Sequence, residues 1–94
     1  YETRAATAGN AAFVAAFAKR WSAEPGLLAA QGYAAGKVLE AAVRRAGTLE
    51  QDRLRDAFAA LEAATPLGDY KVDANGAQLA ARPAVVQIQR GRRE

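Results

Sequence analysis

Residues 25–47, PGLLAAQGYAAGKVLEAAVRRAG, decide how this chain is read. Pro25 suits a first helical turn, where its missing N–H would have had no partner, and Gly47 suits the left-handed residue just past a helix end. The spacing therefore predicts a helix over 25–46. Within it Leu28, Gly32, Ala35, Leu39, Ala42, Val43 and Ala46 recur every three or four residues and share one stripe. Leu39 and Val43 can bury area, whereas Gly32, Gly36, Ala35 and Ala42 let a neighbour approach the backbone. Each helical glycine costs about 1 kcal/mol relative to alanine, so a helix carrying two is expected to pack tightly, with this stripe in the core.

Working outward, Asn10 is a plausible N-cap for a helix over about 10–22, whose Phe13, Phe17 and Trp21 fall at i, i+4 and i+8 with Val14 beside them. That aromatic stripe is expected to be buried. On the other side, Thr48 and Gln51 have capping-box spacing for a helix over about 49–63, with Leu54, Ala57, Phe58 and Leu61 facing inward. Beyond Ala64 the period changes to two. Tyr70 and Val72 alternate with Asp69, Lys71 and Asp73, which predicts a strand over about 68–73. Asn75-Gly76 is a turn signal, and AVVQIQRG predicts a second strand over about 84–90 that pairs with the first.

The 94 residues fit a single domain, 1–94, whose many alanines make a thin core. No run of about 20 uncharged apolar residues is present, so no membrane span is expected. The chain lacks cysteine and histidine, which removes thiolate nucleophiles, zinc clusters and the usual general base. Asp73-Ala-Asn75-Gly76 resembles the start of a calcium loop, but the twelfth position, where glutamate is needed, is Ala84. Asp69 and Asp73 share a strand face without a desolvating pocket. No catalytic residue, metal or cofactor is expected, and the chain is read as a non-enzyme. It carries a net charge of +3, but the basic residues cluster at predicted helix ends and in the tail, where the helix dipole favours them. The aromatics do not interleave with them, so no nucleic-acid partner is expected. The chain opens at Tyr1 without methionine or a signal-peptide pattern, which suggests an upstream part.

The succession FVAAFAKRW, EPG, AAQGYAAGKVLEAAVRRAGTLEQDRLRDAFAAL, TPLGDYKVDANG and AVVQIQRG resembles the C-terminal part of the periplasmic substrate-binding proteins of ABC importers. The branch it resembles is that of the leucine, isoleucine and valine binders. The likeness runs from about Asn10 to Gly91 and lies in the order and spacing of five segments. Two positions depart from the family's pattern: Ala34 stands for the usual aspartate after the tyrosine, and Val72 for the usual aromatic. The resemblance implies an α/β fragment of one lobe of a type I periplasmic-binding-protein fold, three helices followed by a two-stranded β ribbon. It also implies a periplasmic solute-binding function without chemistry, an amino acid or similar small carboxylate as ligand, and a membrane permease as partner. Leu27 and Leu28, at the start of the tyrosine-bearing helix, are the ligand-binding candidates it implies. The competing reading is a small helical interaction or nucleic-acid-binding domain with a basic tail. Because the apolar faces exceed what so short a chain can cover, a homo-oligomer is expected.

Overall fold

The computed structural model describes residues 1–80 and 82–93. Among them are three helices, α1 (Asn10–Trp21), α2 (Leu27–Ala46) and α3 (Gln51–Ala60). Two short antiparallel pairs follow, β1 (Ala63–Thr65) with β2 (Gly68–Tyr70) and β3 (Ile88–Gln89) with β4 (Arg92–Arg93).

Helix α2 begins two residues after Pro25, which is itself buried, and Gly26 is its N-cap in extended conformation. Gly47 ends it at φ 66°, its N–H donating to the Val43 carbonyl at 2.9 Å. The inner face is Ala30, Ala34 and Ala42, with Val38 and Ala41 half-buried beside them. Small side chains let α3 and the first hairpin come close, and Ala42, Ala57 and Leu61 meet in a core ringed by Val38, Phe58, Ala63 and Tyr70. Of the predicted stripe, Ala42 is buried and Val43 and Ala46 are half-buried, but its N-terminal part lies outside, and the covered face there runs through Ala30, Ala34 and Val38 instead. Leu28 and Leu39 are 82% and 50% exposed, and a Cβ placed on Gly32 or Gly36 would meet nothing within 4 Å. The cause is that both stripes are apolar, so periodicity alone could not choose between them.

Asn10 is the first residue of α1, not its cap, which is Gly9 at φ 76°. Its amide lies 1% exposed and ties down the N-terminal segment. Nδ2 donates to the carbonyls of Thr3 and Ala5 at 3.0 and 2.9 Å and, more weakly, to that of Glu2, while Oδ1 accepts from the Tyr1 hydroxyl. Burial, with the Glu2 charge second, raises the Tyr1 pKa. Of the aromatic stripe only Phe13 is buried, stacked on Tyr33 at 4.6 Å. Phe17 is half-buried, and Trp21, past the end of that contact, lies open beneath the Arg20 guanidinium.

Helix α3 is shorter than expected at both ends. The Thr48 hydroxyl accepts from the Glu50 N–H and the Gln51 amide donates to the Leu49 carbonyl, so both side chains serve the linker instead of a capping box. At the other end Leu61 turns extended, and residues 63–65, predicted helical, pair with β2 in the register Ala63↔Tyr70 and Thr65↔Gly68. Thr65 builds this tight turn: its hydroxyl donates to the Gly68 carbonyl and accepts from the Leu67 N–H. The Thr7 hydroxyl donates to the Pro66 carbonyl at 2.5 Å, fastening the N-terminal segment to the turn.

The predicted pairing of 68–73 with 84–90 is replaced by these local hairpins. The second turns on Arg90 and Gly91, at φ 51° and 76°, the paired positive values of a two-residue hairpin turn. Such a turn needs no distant partner, whereas the long pairing would have had to close the loop through 74–83. Of that loop, Asp73 Oδ1 accepts from the N–H groups of Asn75 and Ala77, so this carboxylate serves its own turn.

Candidate functional site

One proline and one glycine set the site's floor. Pro25 and Gly26 end the linker after α1 in extended backbone, so α2 starts abruptly and its first turn opens on a cleft of about 720 Å³. Tyr1, Glu2, Thr3 and Arg4 form one wall, Glu24 to Leu27 the floor, and Arg92 and Arg93 of β4 the other wall. The first wall stands because Asn10 gathers its carbonyls. The second stands because the Arg90-Gly91 turn folds the chain back.

The α2 N-terminus has no side-chain cap and no acidic residue in its first turn. Its first-turn N–H groups precede the Ala30 N–H bond to the Gly26 carbonyl and so have no acceptor within the helix. They carry the positive end of the helix dipole. Glu2 lines the same cleft. Its carboxyl is held below the ordinary glutamate range, first by the Arg4 backbone N–H and then, against some burial, by the charge of Arg4, the Thr3 hydroxyl and the charge of Arg93. The Arg4 guanidinium lies 3.8 Å from it. A small anion entering here would meet backbone donors and guanidinium groups, in competition with Glu2, and an apolar surface at Leu27.

The structure separates the two residues singled out from the sequence. Leu27 lines the cleft, while the Leu28 side chain lies outside that lining. Glu2, Arg4, Arg92 and Arg93 were not anticipated. Only the Arg-Gly dipeptide at 90–91, a turn signal that returns the tail, could have pointed to the last two. Among the described residues no group of three His, Cys, Asp or Glu side chains converges on a metal position, and no helix is long and apolar enough to cross a membrane.

No match to the chain was found among curated proteins or among solved structures. The family model described as periplasmic binding protein matches residues 1–93, and this small α/β chain belongs to the periplasmic binding protein family, which implies binding of a small molecule and is generally non-enzymatic.

Proposed function

We propose that the chain is part of the periplasmic solute-binding component of an ABC importer, one that takes an amino acid or similar small carboxylate and delivers it to a membrane permease. The observation that carries this reading is the uncapped start of α2, opening between arginines onto a cleft floored by Leu27. The ligand carboxylate accepts from the first-turn N–H groups, that of Leu28 included, and an aliphatic ligand side chain lies on Leu27. Both sequence candidates then serve, one through its backbone and one through its side chain. Branched-chain amino acids fit this division of labour.

A tight site encloses most of a small ligand, about 70–90% of its surface. The cleft is open, so leucine should bind this chain too weakly for calorimetry yet shift its amide resonances. Titrating leucine into labelled protein should move the amides of residues 27–30, while isoamylamine, which is leucine without the carboxylate, should leave them in place. Equal shifts with both compounds, or none with leucine, would overturn the reading.

A further inference from the structure

The chain has two asparagines, Asn10 and Asn75, and the structure puts them in opposite situations. Asn10 is 1% exposed, and its amide is spent on the carbonyls of Glu2, Thr3 and Ala5. The residue after it, Ala11, lies inside the first turn of α1. Asn75 is exposed, and among the described residues its side-chain amide makes no hydrogen bond. The residue after it is Gly76, at φ 83°.

Asn75 sits in a three-residue hairpin loop, Ala74 to Gly76. The Gly76 N–H donates to the Asp73 carbonyl at 3.0 Å, the Asp73 N–H donates to the Ala77 carbonyl at 2.9 Å, and Val72 bridges Gln78. This is a type I turn closed by a left-handed glycine. Asp73 Oδ1 reinforces it by accepting from the Asn75 and Ala77 N–H groups. All of these bonds lie at the surface with little apolar cover, the kind of local structure that opens at small cost. Once the Gly76 N–H leaves the Asp73 carbonyl, its nitrogen can turn toward the Asn75 side chain. Glycine has no Cβ to block that approach and no steric limit on the rotation it needs.

We infer that Asn75 is a site of spontaneous covalent modification in the folded chain, deamidating through a cyclic imide with Gly76, while Asn10 is protected. The Gly76 amide gives its proton to solvent hydroxide, and its nitrogen attacks Asn75 Cγ. As the new N–Cγ bond forms, the bond from Cγ to the side-chain nitrogen breaks, and that nitrogen takes a proton from water and leaves as ammonia. Water then opens the imide at either of its carbonyls. Opening at Cγ gives aspartate, and opening at the backbone carbonyl gives isoaspartate, whose chain runs through the side chain. The net exchange is one water in and one ammonia out. Isoaspartate adds a methylene to the backbone and a carboxylate close to Asp73, so the product turn no longer matches the Val72–Gln78 bridge.

The test incubates the folded chain at mildly alkaline pH and follows the peptide carrying each asparagine by mass spectrometry, where the reaction replaces NH₂ by OH. An isoaspartyl methyltransferase with a labelled methyl donor marks the isoaspartate. The Asn75 peptide should convert, faster as the pH is raised, and carry the label, while the Asn10 peptide stays intact. Asn75→Gln, whose longer side chain disfavours the ring, should lose both the conversion and the label. An Asn75 peptide that converts in denaturant but not in the folded chain would show that the turn protects it, and overturns the inference. So does conversion at Asn10 as fast as at Asn75, or a label that survives Asn75→Gln.

Discussion

The two apolar faces of α2 differ in the direction opposite to ordinary expectation. The covered face is alanine at 30, 34 and 42, and the open face carries Leu28 and Leu39. Burying a leucine side chain contributes about 1.5–3 kcal/mol and a methyl group well under half of that, so a helix that served this core alone would be turned the other way. The difference teaches that close approach decided the inner face. Alanines let Leu61, Phe58 and Tyr70 reach the helix, and the larger residues are left facing outward.

The comparison can be broken most directly by placing the same charge on each face. Ala42→Asp buries a carboxylate among Ala57 and Leu61 with no partner, and should cost upward of about 3 kcal/mol, a large part of the stability of a domain this size. Leu39→Asp, at a half-exposed position, should cost less than about 1 kcal/mol. Urea denaturation of both variants decides the matter: equal losses would mean that the faces have been wrongly distinguished.

A smaller effect tests what holds the inner cover in place. Tyr70 packs on the Ala42 cluster and its hydroxyl donates to the Phe58 carbonyl at 3.0 Å, joining the first hairpin to the end of α3. Tyr70→Phe keeps the ring and removes the bond, and should lower stability by about 1 kcal/mol. An unchanged melting temperature would show that the hairpin is held by apolar contact alone.

These faces also show what could be read in advance. The end of α2 was legible because Gly47 is a local signal, and the family was legible in the order of five segments. Which face is covered was not legible. Residues 28, 32, 35 and 39 form one apolar stripe and 30, 34, 38 and 42 another, and only the contacts of α3 and β1 distinguish them. Nor was β1, because Ala63, Ala64 and Thr65 carry little strand preference and are recruited by the turn at Thr65 and Gly68. Leu27, which the family resemblance singles out, lines the cleft. The cleft walls could not be read in advance, since Arg93 acts on Glu2 from the far end of the chain.

Gly32 sharpens the comparison further. With open space where its Cβ would be, Gly32→Ala gains helix propensity at no steric cost and should stabilise the chain by about 0.5–1 kcal/mol. Ala34→Gly on the covered face should do the reverse, by a similar amount plus the lost methyl contacts. Melting both variants in the parent background beside the unaltered chain decides it. A destabilising Gly32→Ala there would restore the tightly packed stripe that the sequence suggested.

The smallest expected effect is a pH dependence at the edge of the inner cover. Glu62 precedes β1 and Lys71 follows β2, and their side chains meet at 2.6 Å across the open end of the hairpin. The Lys71 hydrogen bond first, and its charge second, hold the Glu62 carboxyl below the ordinary glutamate value. The folded state therefore binds this proton less readily than the unfolded chain. Its contribution is complete above the ordinary value of about 4.3 and is lost as the pH falls through the lower folded value. Both groups are solvent-exposed, so salt should weaken the effect. Glu62→Gln should leave stability nearly unchanged at pH 3 and lower it slightly at pH 7, flattening the acid limb of the stability profile. Some slope should survive, because the depressed Glu2 carboxyl is lost over the same range. An acid limb as steep in the variant as in the parent would show that the pair does not hold the open end of the hairpin together.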